Sequence, residues 1–273
     1  MKSVRISAQL AATAALVAAA MAPAFGQSTE PQAAPPAAQP QYSCTSPAEL
    51  TRIDNALPRV ARRIAAGQPL TIVAIGSSST FGAGASSPAM SYPSRLEVEL
   101  KALFPRLPIK VINRGVGGEV SRDMLDRFDR DVFDLKPDLV IWQVGSNSVL
   151  REQPIRPASA IVKQGLGRLK AAGLDVILMN PQYAPKVIAK PNADAMVDLI
   201  GDIAKDYKTD LFQRFAIMRY WRLTEDMPFS AFLSPDELHL NDWSYGCLAK
   251  LLAGAIEEAA TRPTVTAGAI PRR

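Results

Sequence analysis

The chain has 273 residues, 48% of them apolar and 21% charged, with one histidine and two cysteines. Those fractions exclude a disordered or collagen-like chain. The lone histidine excludes a cluster of imidazole metal ligands, and cysteines near opposite ends exclude zinc knuckles and Cys-x-x-Cys redox chemistry. The formal charge of +5 arises from scattered residues and short pairs such as Arg62-Arg63. No basic stripe tracks along the chain, so nucleic acid is not an expected partner.

Residues 1–26 read as an export leader, with Lys2 and Arg5 ahead of the uncharged run Leu10 to Met21 and small residues at Ala24 and Gly26. Cleavage is expected after Gly26, with Ala24 as the other candidate. The apolar run is well short of the roughly 20 residues that span a bilayer; an uncleaved N-terminal membrane anchor is the alternative. Loss of Lys2 and Arg5 leaves 29 basic against 26 acidic residues, a charge near +3. The expected location is periplasmic or secreted, with no stable membrane insertion after leader removal.

Residues 27–45, with Pro31, Pro35, Pro36 and Pro40 among Ala and Gln, read as a linker. Cys44 at its end and Cys247 near the end of the folded part are candidates for a disulfide in an oxidising compartment, or else two free thiols. Ser46-Pro47-Ala48-Glu49 has cap, first-turn proline and capping-box glutamate in register. Leu50, Ile53, Leu57, Val60 and Ile64 follow at helical spacing, which predicts one amphipathic helix over 47–66.

Short apolar runs then alternate with helical stretches. Leu70 to Ile75, Ile109 to Ile112, Leu139 to Val144 and Val176 to Met179 read as strands, with a weaker fifth near 209–212. Helices are predicted near 92–104, 119–134, 156–172, 189–206 and 242–260. Repeated βαβ units imply an α/β fold with a parallel sheet covered on both faces. One domain is expected over 46–262, followed by a disordered tail over 263–273. Open parallel sheets place ligand sites at the carboxyl ends of their strands.

Four segments sit at such ends or before the last helix. They are Gly76-Ser77-Ser78, Asn113 to Gly118, Gly145-Ser146-Asn147 and Asp236-Glu237-Leu238-His239. Residues three apart on a helical turn share a face, so the Asp236 carboxylate can orient His239 and leave Nε2 free for a serine proton. Ser78 is a candidate nucleophile where a strand meets a helix. It lies outside a G-x-S-x-G elbow because Thr80 takes the last glycine position. No P-loop and no dinucleotide fingerprint is present. The Asn147 amide and the Gly118 backbone N–H are candidate donors to a developing negative charge.

Together, and in this order, these segments resemble the SGNH hydrolase family, also called GDSL esterases, over roughly residues 70–257. Ser78 matches the nucleophile, Gly118 and Asn147 the oxyanion glycine and asparagine, and Asp236 with His239 the closing D-x-x-H block. Ser77 and Ser148 stand where the family carries aspartates. The resemblance implies a three-layer α/β/α flavodoxin-like fold of about five strands and a serine esterase mechanism without metal or organic cofactor. Ser78, Asp236 and His239 would form the triad, and Ser78 N–H, Gly118 N–H and the Asn147 amide the oxyanion hole.

The expected substrate is a small-molecule or glycan ester, and export favours acetyl groups on envelope glycans. Arg114 and Arg151, close to oxyanion residues, are candidates for recognising an anionic group. Tyr220, Trp221, Phe229, Phe232 and Trp243 are candidates for a sugar platform or acyl pocket, with core packing as the alternative; Trp142 is read as packing. Competing readings are an acyltransferase using the same triad, a lysophospholipase or thioesterase, and a non-catalytic glycan-binding module.

Overall fold

In the computed structural model, which describes residues 42–262, five strands pair in parallel in the order β2-β1-β3-β4-β5. They are β1 (Leu70–Gly76), β2 (Ile109–Gly115), β3 (Leu139–Gln143), β4 (Asp175–Met179) and β5 (Asp210–Phe212). The expected leader, the expected linker up to residue 41 and the expected tail from residue 263 lie outside the described residues. Ile72 to Ile75 and Leu139 to Trp142 are fully buried, because both faces of the central strands are covered. The strand order is of the flavodoxin type that the family resemblance implies.

Ahead of the sheet lie α1 (Ala48–Thr51) and α2 (Pro58–Ala65), two helices where the sequence predicts one. The break follows from Pro58, which disfavours helical backbone at the preceding residue; Leu57 sits at φ −104°, ψ 75°. The expected cap is also absent, since the Ser46 hydroxyl donates to the Pro47 carbonyl. The start of α2 is capped instead by Asp175, whose carboxylate accepts the N–H groups of Arg59 and Val60 at 2.8 and 3.0 Å. The apolar spacing nonetheless reads correctly, for Ile53, Leu57 and Val60 are buried.

Between β1 and β2 come α3 (Ser78–Phe81) and α4 (Tyr92–Leu103). The return to β3 carries α5 (Ser121–Asp126) and α6 (Phe128–Asp131), and the next crossover α7 (Ser146–Leu150) and α8 (Ile155–Ala171). The predicted helix 119–134 is thus broken, at Arg127, whose guanidinium turns in to the carbonyls of Gly76 and Arg114. The stretch predicted over 189–206 holds one helix, α10 (Ala193–Asp206), which begins only after Pro191; a separate short helix, α9 (Pro185–Ile188), precedes it.

After β5 follow α11 (Arg214–Leu223), α12 (Phe229–Phe232) and α13 (Asp242–Thr261). The chain leaves β1 toward β2, then passes back over β1 to reach β3. With right-handed crossovers this reversal puts helices on opposite faces. Accordingly α13 packs with α4 and α2, while α8 packs with α5 and α10. The reversal also leaves the carboxyl ends of β1 and β3 side by side, which is where a ligand crevice forms. Among the described residues, no helix is long and apolar enough to cross a membrane.

Candidate active site

Ser78 opens α3 directly after β1, so its N–H belongs to the first turn and has no intrahelical acceptor. Its Oγ lies 2.8 Å from His239 Nε2, and His239 Nδ1 lies 2.5 Å from Asp236 Oδ2. The other oxygen, Asp236 Oδ1, accepts from Ser234 Oγ at 2.7 Å, His239 N–H at 2.9 Å and Leu238 N–H at 3.0 Å. Burial pushes the Asp236 carboxyl up, but these donors outweigh it and hold it far below the usual carboxylate range. The carboxylate therefore stays charged opposite the ring.

Asp236 and His239 meet on an irregular turn rather than the helical turn expected. Glu237 between them takes φ +57°, a left-handed conformation uncommon for a non-glycine residue. The turn is closed by Ser234 N–H donating to the His239 carbonyl at 2.8 Å, beside an antiparallel bridge of Leu233 and Leu240. Asn241 then caps α13, accepting from Ser244 N–H at 3.1 Å.

The candidate anion donors converge from β2 and β3. Gly115 is a close approach, since a Cβ there would stand 2.0 Å from Phe81 N. The Asn113 side chain joins the same elements, donating to the Thr80 carbonyl and accepting Gly115 N–H. Gly118 has φ +80°, and neither its N–H nor that of Ser78 has a protein acceptor among the described residues. One Asn147 amide hydrogen goes to the Glu119 carbonyl at 2.8 Å, which fixes the amide plane and leaves the second hydrogen free.

Arg151 and Arg114 each contact the fold. Arg151 donates to the Gly118 carbonyl at 2.7 Å, and Arg114 faces Asp131 at 3.6 Å. The aromatic group is mainly core, as its alternative reading had it. Trp221 and Phe232 are fully buried and pack edge-on, and Trp221 meets Trp243 the same way. Their indoles receive the N-terminal segment, donating to the carbonyls of Thr45 and Tyr42. A disulfide joins Cys44 to Cys247 in α13. Trp142 is buried against Phe128.

Sequence reasoning missed the buried polar layer beneath the loops. Ser77, in place of an aspartate, donates through N–H and Oγ to Gln143 Oε1 at 2.8 and 2.9 Å. Ser146 Oγ donates to Gln182 Oε1 at 2.8 Å. Arg214, fully buried, reaches Ser79, Ser146, Gln182 and the Asn180 carbonyl. The signal available was a charged residue opening a helix whose Phe215, Ile217, Met218 and Trp221 all face the core. Among the described residues, no three His, Cys, Asp or Glu side chains gather as metal ligands.

A hydroxyl, an imidazole and a carboxylate bonded in series can pass a proton away from the hydroxyl as it attacks. Unpaired N–H groups on the neighbouring loops can receive the oxyanion that results.

A model of the non-GDSL lipase-like family matches residues 43–262. Among curated proteins, the chain is 42% identical over 53 residues to an acetylxylan esterase of Geobacillus stearothermophilus, which covers 19% of this chain and 24% of that one. It is 24% identical over 107 residues to an arylesterase of Vibrio mimicus, covering 39% and 53%. The matched part thus spans about half, or less, of those relatives. Among solved structures, a two-domain esterase active on acetylated mannans aligns with a TM-score of 0.67 at 22% identity, over 78% of this chain and 56% of that one. An acetylxylan esterase from Geobacillus stearothermophilus aligns with a TM-score of 0.58 at 22% identity, over 68% and 94%. At such identities the structural likeness shows the fold.

Proposed function

The chain belongs to the non-GDSL lipase-like family, and on that premise we propose that it is an exported serine esterase that removes short acyl groups, acetyl foremost, from glycans. The observation that carries this reading is the unbroken hydrogen-bonded series Ser78–His239–Asp236. A glycan substrate is supported by relatives and structural neighbours named for acetylated xylan and mannans. It is supported too by Phe81, three residues beyond Ser78 on the same helical face and 61% exposed, an apolar ring on which a sugar can rest. Export is supported by the leader pattern and by the disulfide, since such bonds persist in oxidising compartments.

In the reaction so assigned, Ser78 Oγ attacks the acyl carbonyl carbon while its proton passes to His239 Nε2. The carbonyl oxygen becomes an oxyanion facing Ser78 N–H, Gly118 N–H and the free hydrogen of the Asn147 amide. Asp236 stabilises the imidazolium without taking its proton. Collapse breaks the ester bond, and His239 gives its proton to the departing alcohol. Water then attacks the acyl-enzyme, losing a proton to His239, and the acid leaves as Ser78 regains its hydrogen.

The test is turnover of p-nitrophenyl esters from acetyl to octanoyl, and of acetylated xylan and mannan oligosaccharides, by the wild type and by Ser78→Ala. Release of acetate from the glycans that vanishes in the variant is the expected result. Preference for long acyl chains would turn the reading to a lipid esterase or thioesterase. Absence of turnover, with no labelling of Ser78 by a fluorophosphonate, would overturn it in favour of a binding module.

A further inference from the structure

Arg214 sits where a charge is hardest to keep. It is fully buried and opens α11, at the end of a helix whose dipole disfavours a cation. Among the described residues no carboxylate comes within 4.0 Å of it. Burial lowers its pKa to about 10, so it remains charged at neutral pH. The phenols of Tyr92 and Tyr245 act on it, but burial pushes both upward, Tyr92 to about 12, so they stay neutral. A buried charge without a counter-ion is costly, and a neutral side chain could fill the space at lower cost.

Its hydrogen bonds go to the segments that carry the site. Nη1 donates to Ser79 Oγ at 2.9 Å, one residue beyond the candidate nucleophile. Nη2 lies 3.4 Å from Ser146 Oγ, one residue before Asn147. Nη2 also donates to Gln182 Oε1 at 2.9 Å, and Nε to the Asn180 carbonyl at 3.0 Å, both just past β4. The fork therefore ties the ends of β1, β3 and β4 together. The two serines it holds are the sequence neighbours of Ser78 and Asn147, the candidate nucleophile and oxyanion donor.

We propose that Arg214 is a positioning residue whose unneutralised charge, held behind Ser79 and Ser146, biases the oxyanion hole toward negative charge and so lowers the barrier to acyl transfer. The inference rests on the esterase reading above. A unit charge in a poorly polarisable interior acts across an intervening side chain, and it acts on the transition state, where the oxyanion exists, more than on the neutral ester. Its removal therefore shows in kcat before KM.

Charge and clamp separate experimentally at Gln182. Gln182→Glu places a carboxylate on Arg214, which strengthens the clamp but cancels its charge. Gln182→Met removes an acceptor and leaves the charge; both variants lose the weak bond to the Leu238 carbonyl at 3.4 Å. The expected result, on p-nitrophenyl acetate, is a fall in kcat on the order of thirtyfold for Gln182→Glu, with KM changed by less than about threefold and a smaller fall for Gln182→Met. Equal falls, or the reverse order, overturn the inference. Arg214→Lys should keep more kcat than Arg214→Gln, with each normalised to folded protein by circular dichroism. If neither Arg214 variant folds, the Gln182 pair decides, since Arg214 is retained there. Failure of the esterase reading itself is distinguishable, because the wild type would then show no Ser78-dependent turnover.

Discussion

The Arg151 guanidinium donates to the Gly118 carbonyl at 2.7 Å, so a residue suggested by the sequence as an anion ligand braces the loop that presents the Gly118 N–H. The same peptide group lies next to the Glu119 carbonyl that orients Asn147. Two of the three candidate oxyanion donors thus depend on one short segment. Arg151→Ala should lower kcat about tenfold with a smaller change in KM, because a small misplacement of an oriented group is felt in the transition state. Stopped-time assays on p-nitrophenyl acetate suffice; a rise in KM alone would return Arg151 to substrate binding.

Residues set by local order were legible in the sequence. Ser78, Asn147, Asp236 and His239 lie at strand ends or before a capped helix; the alternation of apolar runs gives the parallel sheet, and the flavodoxin-like arrangement that gathers them comes from the family resemblance. Arg214 was not legible, because its partners Ser79, Ser146 and Gln182 come from three segments far apart in the chain, and one arginine on an apolar helix face carries no motif. Helix breaks were missed where a single local event overrode the spacing: Pro58 and the inward turn of Arg127. The aromatic residues around Trp221 were ambiguous because the sequence does not reveal that residues 42–45 cover them.

Phe81, three residues beyond Ser78, offers a large aromatic face, 61% exposed while its backbone is pinned against Gly115. Stacking on a sugar face would contribute to binding the glycan but little to a small aryl acetate. Phe81→Ala should raise KM for acetylated oligosaccharides by about tenfold, equivalent to ~1.4 kcal/mol, and by much less for p-nitrophenyl acetate. Equal effects on the two substrates would assign Phe81 to the acyl side of the site.

The disulfide between Cys44 and Cys247 anchors the segment whose carbonyls at Tyr42 and Thr45 receive the indoles of Trp243 and Trp221. The loop it closes spans 203 residues, so the chain-entropy argument gives about 5 kcal/mol, and measured values are usually nearer 2–4. The double variant Cys44→Ser with Cys247→Ser should lose stability of that order in urea unfolding. Its tryptophan emission should change as the segment leaves Trp243. Identical unfolding curves for oxidised, reduced and variant protein would show that the packing alone holds the segment.

Asp131 links the glycine loop to the helices behind it. Its carboxylate accepts from Arg130 at 2.8 Å and Arg127 at 2.9 Å, and Arg127 in turn reaches the carbonyls of Gly76 and Arg114. The Arg130 hydrogen bonds lead in lowering its pKa to about 2, with Arg127 adding to them against the upward push of burial. In the unfolded chain the group titrates near the ordinary value of about 3.9. A folded-state pKa below the unfolded one stabilises the fold fully above about pH 4, and that contribution drains away as pH falls toward 2. Asp175 and Asp210, raised by burial, act with the opposite sign and are common to both proteins in a comparison with Asp131→Asn. The variant should therefore be less stable at pH 7, and the gap between variant and wild type in urea unfolding should narrow between about pH 4 and pH 2. A gap that stays constant across that window would place the contribution in the shape of the side chain rather than its charge.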